Sequence, residues 1–187
     1  FGSRLGLGLL LTGKVVRFSL FFAFLYFLLG SIDSLAGYTR QQVIFIFLTF
    51  NLVDILSQFL FREVYRFRPL IISGDFDLVL TKPIRPLFRS LMGGADFIDF
   101  LTLVPLLGIL FYYARALEPS LVLTLAYALL VLNGIVLAAA FHIFILSFAV
   151  ITLELDNLLW IFRELVGLGR VPVEIYATPM RLILTYI

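Results

Sequence analysis

There is no cysteine in this chain and only one histidine, His142. These 187 residues therefore hold no disulfide framework, thiolate metal site or cysteine nucleophile, and a zinc cluster would want for ligands. Charge is scarce as well. Asp, Glu, Lys and Arg make up 14% of the residues, where soluble domains carry about a quarter. The formal net charge of +2 and pI ≈ 9.1 are too slight to indicate nucleic acid, and none is expected as a partner. No nucleophile, base and orienting group stand together, so no enzyme active site is expected.

What fills the chain instead is apolar: 62% of the residues, with a mean hydropathy of +1.10. One soluble core cannot hide that much grease, so this is a membrane protein. It opens on Phe1 and stops inside the apolar run "RLILTYI", with no signal-peptide layout at its start. It is expected to be part of a longer polytopic protein, truncated at both ends.

A spanning helix takes about 20 mostly apolar residues, and four stretches qualify. They are Val15–Ile32, Gln42–Phe61, Phe97–Ala114 and the uncharged run that begins at Pro119 and meets no charge until Glu154. The last exceeds one upright helix. One long helix, kinked or projecting into the cytosol, is preferred to two short ones broken near Asn133–Gly134. A fifth apolar run starts near Met180. The expected fold is all-α, a polytopic membrane helix bundle of four spans plus the start of a fifth.

Lysine and arginine in the short flanks set orientation. Arg4, Lys14, Arg17, Arg62, Arg66, Arg68, Lys82, Arg85, Arg89, Arg163, Arg170 and Arg181 fall on one side of this scheme, against Arg40 and Arg115 on the other. The basic side, with the N-terminus, is expected in the cytosol. Over residues 153–170, Leu155, Leu158, Leu159, Phe162, Leu165 and Val166 line one helical face, and Glu154, Asp156, Asn157, Arg163 and Glu164 the other. That pattern predicts an amphipathic helix on the cytoplasmic side, lying in the interface, packing on a partner, or simply packed in a cytosolic loop.

The loop over residues 62–95 is the most punctuated part of the chain. Asp75 and Asp77 follow "SG" at Ser73–Gly74, where acids favour a helix N-terminus, and Pro83 and Pro86 stop any helix beyond Thr81. A short helix over Asp75–Thr81 is predicted. Its Leu78, Val79 and Leu80 would press on something, either a cytosolic partner or the membrane interface.

The layout resembles the permease subunits of ATP-binding-cassette transporters of the type 2 class, in particular the roughly six-helix bacterial exporters. The resemblance rests on "GYT" at Gly37–Thr39, on "SGDFDLVLTKPIRPLF" from Ser73 to Phe88, and on Gly169, Arg170, Pro172, Tyr176 and Arg181. A family pattern, Gly-x-x-Asp-x-x-Leu-x-(Lys/Arg)-Pro-x-x-Pro-Leu, falls on Gly74, Asp77, Leu80, Lys82, Pro83, Pro86 and Leu87. The resemblance implies that residues 1–187 form a single permease domain whose loop, with Asp75 and Arg85 included, seats a coupling helix in an ATPase subunit. It further implies a second permease chain, identical or not, a multi-pass place in the bacterial cytoplasmic membrane, and ATP and Mg on the partner subunit. No cofactor is expected on this chain.

One stretch imitates a nucleotide site. "GLLLTGKV", Gly8–Val15, nearly spells a phosphate loop, but Val15 stands where a hydroxyl must hold magnesium. Ionisable groups in or near spans are the other candidates. Asn51, Asp54 and Gln58 form a polar stripe, fit for a translocation path or a helix contact, and His142 sits amid "AAAFHIF". Asp96 and Asp99 lie near the cytosolic surface, where water or Arg89 can satisfy them. The alternative function is a proton- or ion-coupled secondary carrier using Asp54 and His142. The small residues from Gly134 to Ala140 allow close helix approach, within the chain or in a dimer.

Overall fold

In the computed structural model, the described residues are 34–94, 97–152 and 155–186, with 6, 8–9, 12–13, 15–16, 19–20, 23, 26–27 and 30; the side chains of 97–99 and 155 are not among them. Much of the span expected over Val15–Ile32 therefore lies outside the described residues, as does Asp96. The described positions before Ser34 are helical.

A two-residue turn opens the continuous part. Ala36 and Gly37 both take positive φ (54° and 88°), joining β1 (Ser34–Leu35) to β2 (Tyr38–Thr39) as an antiparallel hairpin. Thr39 then caps α1 (Arg40–Leu60): its hydroxyl accepts the Gln42 amide, and the Gln42 side chain accepts the Thr39 amide. Two unmet donors at the helix start are thereby satisfied. The 21 residues of α1 rise about 31 Å, which matches the apolar core of a bilayer.

After α1 the chain makes a 3-10 turn (Arg62–Arg66), then α2 (Phe67–Ile72), α3 (Asp75–Leu80) and α4 (Pro86–Met92). It returns through α5 (Phe97–Ala116), and α6 (Leu121–Thr152) follows as one continuous helix. At about 48 Å, α6 outruns α1, and its last turns carry Leu146 and Ala149 beyond the span to pack with Phe67 and Leu91 of the loop. The amphipathic segment is α7 (Leu155–Gly167). Two short 3-10 turns, Leu168–Arg170 and Val173–Ile175, lead to α8 (Thr178–Tyr186).

Two cores hold the bundle. Val43, Ile44, Leu48 and Leu52 of α1 pack on Leu106 and Leu110 of α5. Ala138, Ile145, Leu146 and Ala149 of α6 pack on Phe61, Val64, Phe67, Leu91 and Leu159. Between apolar helices in lipid no hydrophobic gain is left to draw on, so close backbone approach has to supply the attraction. The small residues serve that purpose within the chain: Val53 lies against the bare backbone of Gly134, and Ala138 is buried. Elsewhere α5 and α6 present Val104, Phe111, Leu129, Leu130 and Phe144 outward. The chain is an all-α membrane helix bundle.

The path of α7 differs from the expected one. Its first turn lies at the loop end, where Arg68 pairs with Asp156. Phe162 then stacks on His142, Gly169 and Arg170 approach Phe50 in the middle of α1, and Glu174 accepts a hydrogen bond from Tyr38 in the hairpin. The helix and its following turns thus run back along the whole of α1, rather than lying across the loop end. Arg170 is carried away from the basic cluster that the charge count had assigned to it. The physical reason is contact: Phe162 on the apolar face of α7 finds Phe141 and His142 on α6, and Arg170 beyond it finds Phe50 on α1.

Candidate functional site

The loop between α1 and α5 is built by local rules. Gly74 adopts φ 78°, a left-handed conformation that lets the chain turn sharply out of α2. Ser73 donates to Asp75 at 2.7 Å, and Asp75 and Asp77 occupy the first turn of α3. The helix ends at Leu80, with the Thr81 hydroxyl donating to the Leu78 carbonyl. Lys82, Pro83, Ile84 and Arg85 form the bend, and Pro86 takes the first position of α4, where its missing amide costs nothing. The helix predicted for Asp75–Thr81 is found over Asp75–Leu80.

One side of this loop is fastened. Phe76 packs edge-on against Phe67, 5.0 Å between ring centres, beside a hollow lined with Pro86 and Leu146. The other side is apolar and bare: Leu78 is 60% exposed and Phe88 62%, and Ile72, Leu80, Ile84 and Leu87 also face outward. These six exposed apolar side chains lie together at the loop end, facing a partner or the membrane interface. Of the positions singled out in the sequence, Gly74, Asp75, Asp77, Leu80, Lys82, Pro83, Arg85, Pro86 and Leu87 all lie within this one projecting element.

The loop is anchored by a contact the sequence reading missed. Glu63, only 6% exposed, accepts from Arg89 of α4 at 2.7 Å, and Arg66 stands 4.0 Å from its other oxygen. Gly93 and Gly94 make room for it: a Cβ on Gly94 would overlap Glu63 Oε2, and one on Gly93 would overlap Arg89 Nη1. Arg89 therefore serves Glu63. The "GG" pair was the sequence's only hint, since neither spacing nor periodicity links residues 26 apart.

The polar groups of the spans are occupied locally. Asn51 donates to the Phe47 carbonyl at 2.8 Å, and Gln58 donates to Asp54 at 2.9 Å. His142, 1% exposed, donates from Nδ1 to the Ala138 carbonyl at 2.7 Å, because a carbonyl can only accept. Its ring is surrounded by Phe61, Tyr65 and Phe162, and Nε2 has no hydrogen-bond partner among the described residues. Ser57 Oγ is likewise buried without one. Asp54 and His142 lie on different helices, each engaged on its own. Among the described residues no cluster of His, Cys, Asp or Glu is placed to hold a metal.

A polytopic helical membrane protein with one fastened, apolar-faced loop at its end is the class these features define. The chain matches the family model described as ABC-2 family transporter protein over residues 15–187, and it belongs to that family. Comparison with curated proteins and with solved structures gave no match. Membership makes it a membrane permease subunit of an ABC transporter, not itself the catalytic subunit, associated with an ATP-binding subunit and the membrane.

Proposed function

We propose that this chain is the membrane-spanning half of an ATP-driven exporter of hydrophobic or amphipathic cargo, and that residues 62–95 are its coupling loop. Family membership supplies the need for an ATP-binding subunit, and the bare apolar face of α3 and α4 supplies the place for it. That exposed face, backed by Phe76 on Phe67, is the observation that carries the reading. Gly74, Asp75, Asp77, Leu80, Lys82, Pro83, Arg85, Pro86 and Leu87 shape the docking element. The loop faces the bacterial cytosol, and two permease chains, identical or different, flank the cargo. ATP and Mg reside on the partner.

The polar stripe of α1 and His142 take no part in coupling in this reading, since the hydrogen bonds of Asn51, Gln58 and His142 stay within their own helices. The full-length chain is purified in mild detergent beside the double variant Asp77→Lys with Pro83→Ala. An ATP-binding subunit should come down with the intact loop, hydrolyse ATP, and be lost with the altered one. Purification of both forms without any ATPase would overturn the proposal.

A further inference from the structure

A docking loop transmits force only if it cannot pivot freely on the span behind it. Three features of the Glu63–Arg89 contact bear on that. The carboxylate belongs to the 3-10 turn just after α1, whereas the guanidinium belongs to α4 just before α5, so the ion pair ties the two ends of the loop together where it meets the spans. The carboxylate is buried while Arg89 is partly exposed, so removing the arginine leaves the carboxylate to Arg66, 4.0 Å from its other oxygen. Gly93 and Gly94, pressed against both partners, fix the entry to α5 in the same contact.

We infer that Glu63 and Arg89 form the strut through which movement of the loop reaches α1 and α5, making them positioning residues for transport rather than binding residues for the ATPase. The apolar docking face lies on the exposed Leu78, Leu80 and Leu87, whereas the carboxylate is buried. Docking and transmission are therefore separable. Without the strut, α3 and α4 remain held by Phe76 on Phe67 and by Leu91 in the core, so the loop keeps its shape and its partner. What is lost is the stiff link that turns a push on the loop into a tilt of the spans. This inference rests on the coupling-loop reading above.

The test uses the full-length permease in nanodiscs with the ATP-binding subunit that co-purifies. The 187 residues contain no cysteine, so spin labels can be placed at Gln41→Cys and Leu121→Cys, at the hairpin end of α1 and the start of α6. In the parent chain, ATP should shift the distance between them. Glu63→Gln and Arg89→Gln should abolish that shift while subunit affinity stays within about threefold of the parent, the range of a neutral surface change. Arg89→Lys, which keeps a cation facing the carboxylate, should retain the shift, which separates a lost strut from a damaged fold.

An ATP-driven shift that persists in both single variants would overturn the strut. So would single variants that lose the subunit as completely as the loop variant does, since the pair would then serve folding or docking. If the parent chain binds no ATPase, the coupling-loop reading fails and the strut with it. If the parent binds and moves but the variants move equally, only the strut fails.

Discussion

His142 spends one ring nitrogen on Ala138 and leaves the other against aromatic carbon. A buried acceptor without a donor costs about 1–3 kcal/mol, yet the ring also fills the space between Phe61, Tyr65 and Phe162. Filling outweighs the orphaned nitrogen. His142→Phe should therefore unfold in detergent at or slightly above the parent temperature and keep transport-linked ATPase activity. His142→Ala should lose roughly 3 kcal/mol through the cavity it leaves. A proton-coupled carrier predicts the opposite for the first variant, complete loss of activity with unchanged stability. At the same scale, Gly74→Ala forces a side chain into φ 78°, and thermal unfolding should register about 1–2 kcal/mol of strain.

Among the elements, α3 was legible because every signal that makes it is local: glycine before it, acids in its first turn, prolines after it. Its exposed leucines should behave as interface anchors. Leu78→Asp should weaken ATPase-subunit binding by about 2 kcal/mol, near thirtyfold, as read by titration of the subunit onto the permease in nanodiscs. The long α6 was legible as well, since a charge-free run offers a helix no reason to break. For α7 the period revealed the face but not the direction of the axis, which long-range contacts decide. Glu63 and Arg89 were invisible for the same reason. The far end of that path can be tested by pH. The Tyr38 phenol is raised above its usual 10, first by the charge of Glu174 and then by the hydrogen bond it donates to it. A raised pKa in the fold means the contact stabilises fully below pH 10 and fades as pH climbs through the higher folded value. In a difference titration of tyrosine absorbance, Tyr38→Phe should thus remove one tyrosine's amplitude from the part above pH 10 and leave the part below it unchanged.

For the whole molecule, the bundle has two distinct ends. The loop end gathers Arg62, Arg66, Arg68, Lys82, Arg85, Arg89 and the Arg163 that lies over Tyr65. The hairpin end holds Arg40, the end of α5 at Ala116, and the turn at Glu174. Membrane-impermeant thiol reagents should therefore label Lys82→Cys and Glu174→Cys from opposite faces of sealed vesicles. Labelling of both from one face would mean that α7 and its turns do not cross. The sequence's charge count put Arg170 with Lys82 because it treats each basic residue by its place in the chain, whereas the return of α7 carries Arg170 to Phe50.

That return also sets an order of events during synthesis. A 13-residue helix bearing Asp156, Arg163 and Glu164 cannot partition into lipid alone, at about 2.5–3.5 kcal/mol for each charge at the centre. Its apolar face has to meet Phe61, Tyr65 and His142 already standing as a wall, and Arg68 has to be waiting for Asp156. The nascent chain must accordingly pack α1 and α6 together before α7 docks, and a defect in the α1–α6 seam at Gly134 would appear first as failed docking of the helix that begins at Leu155.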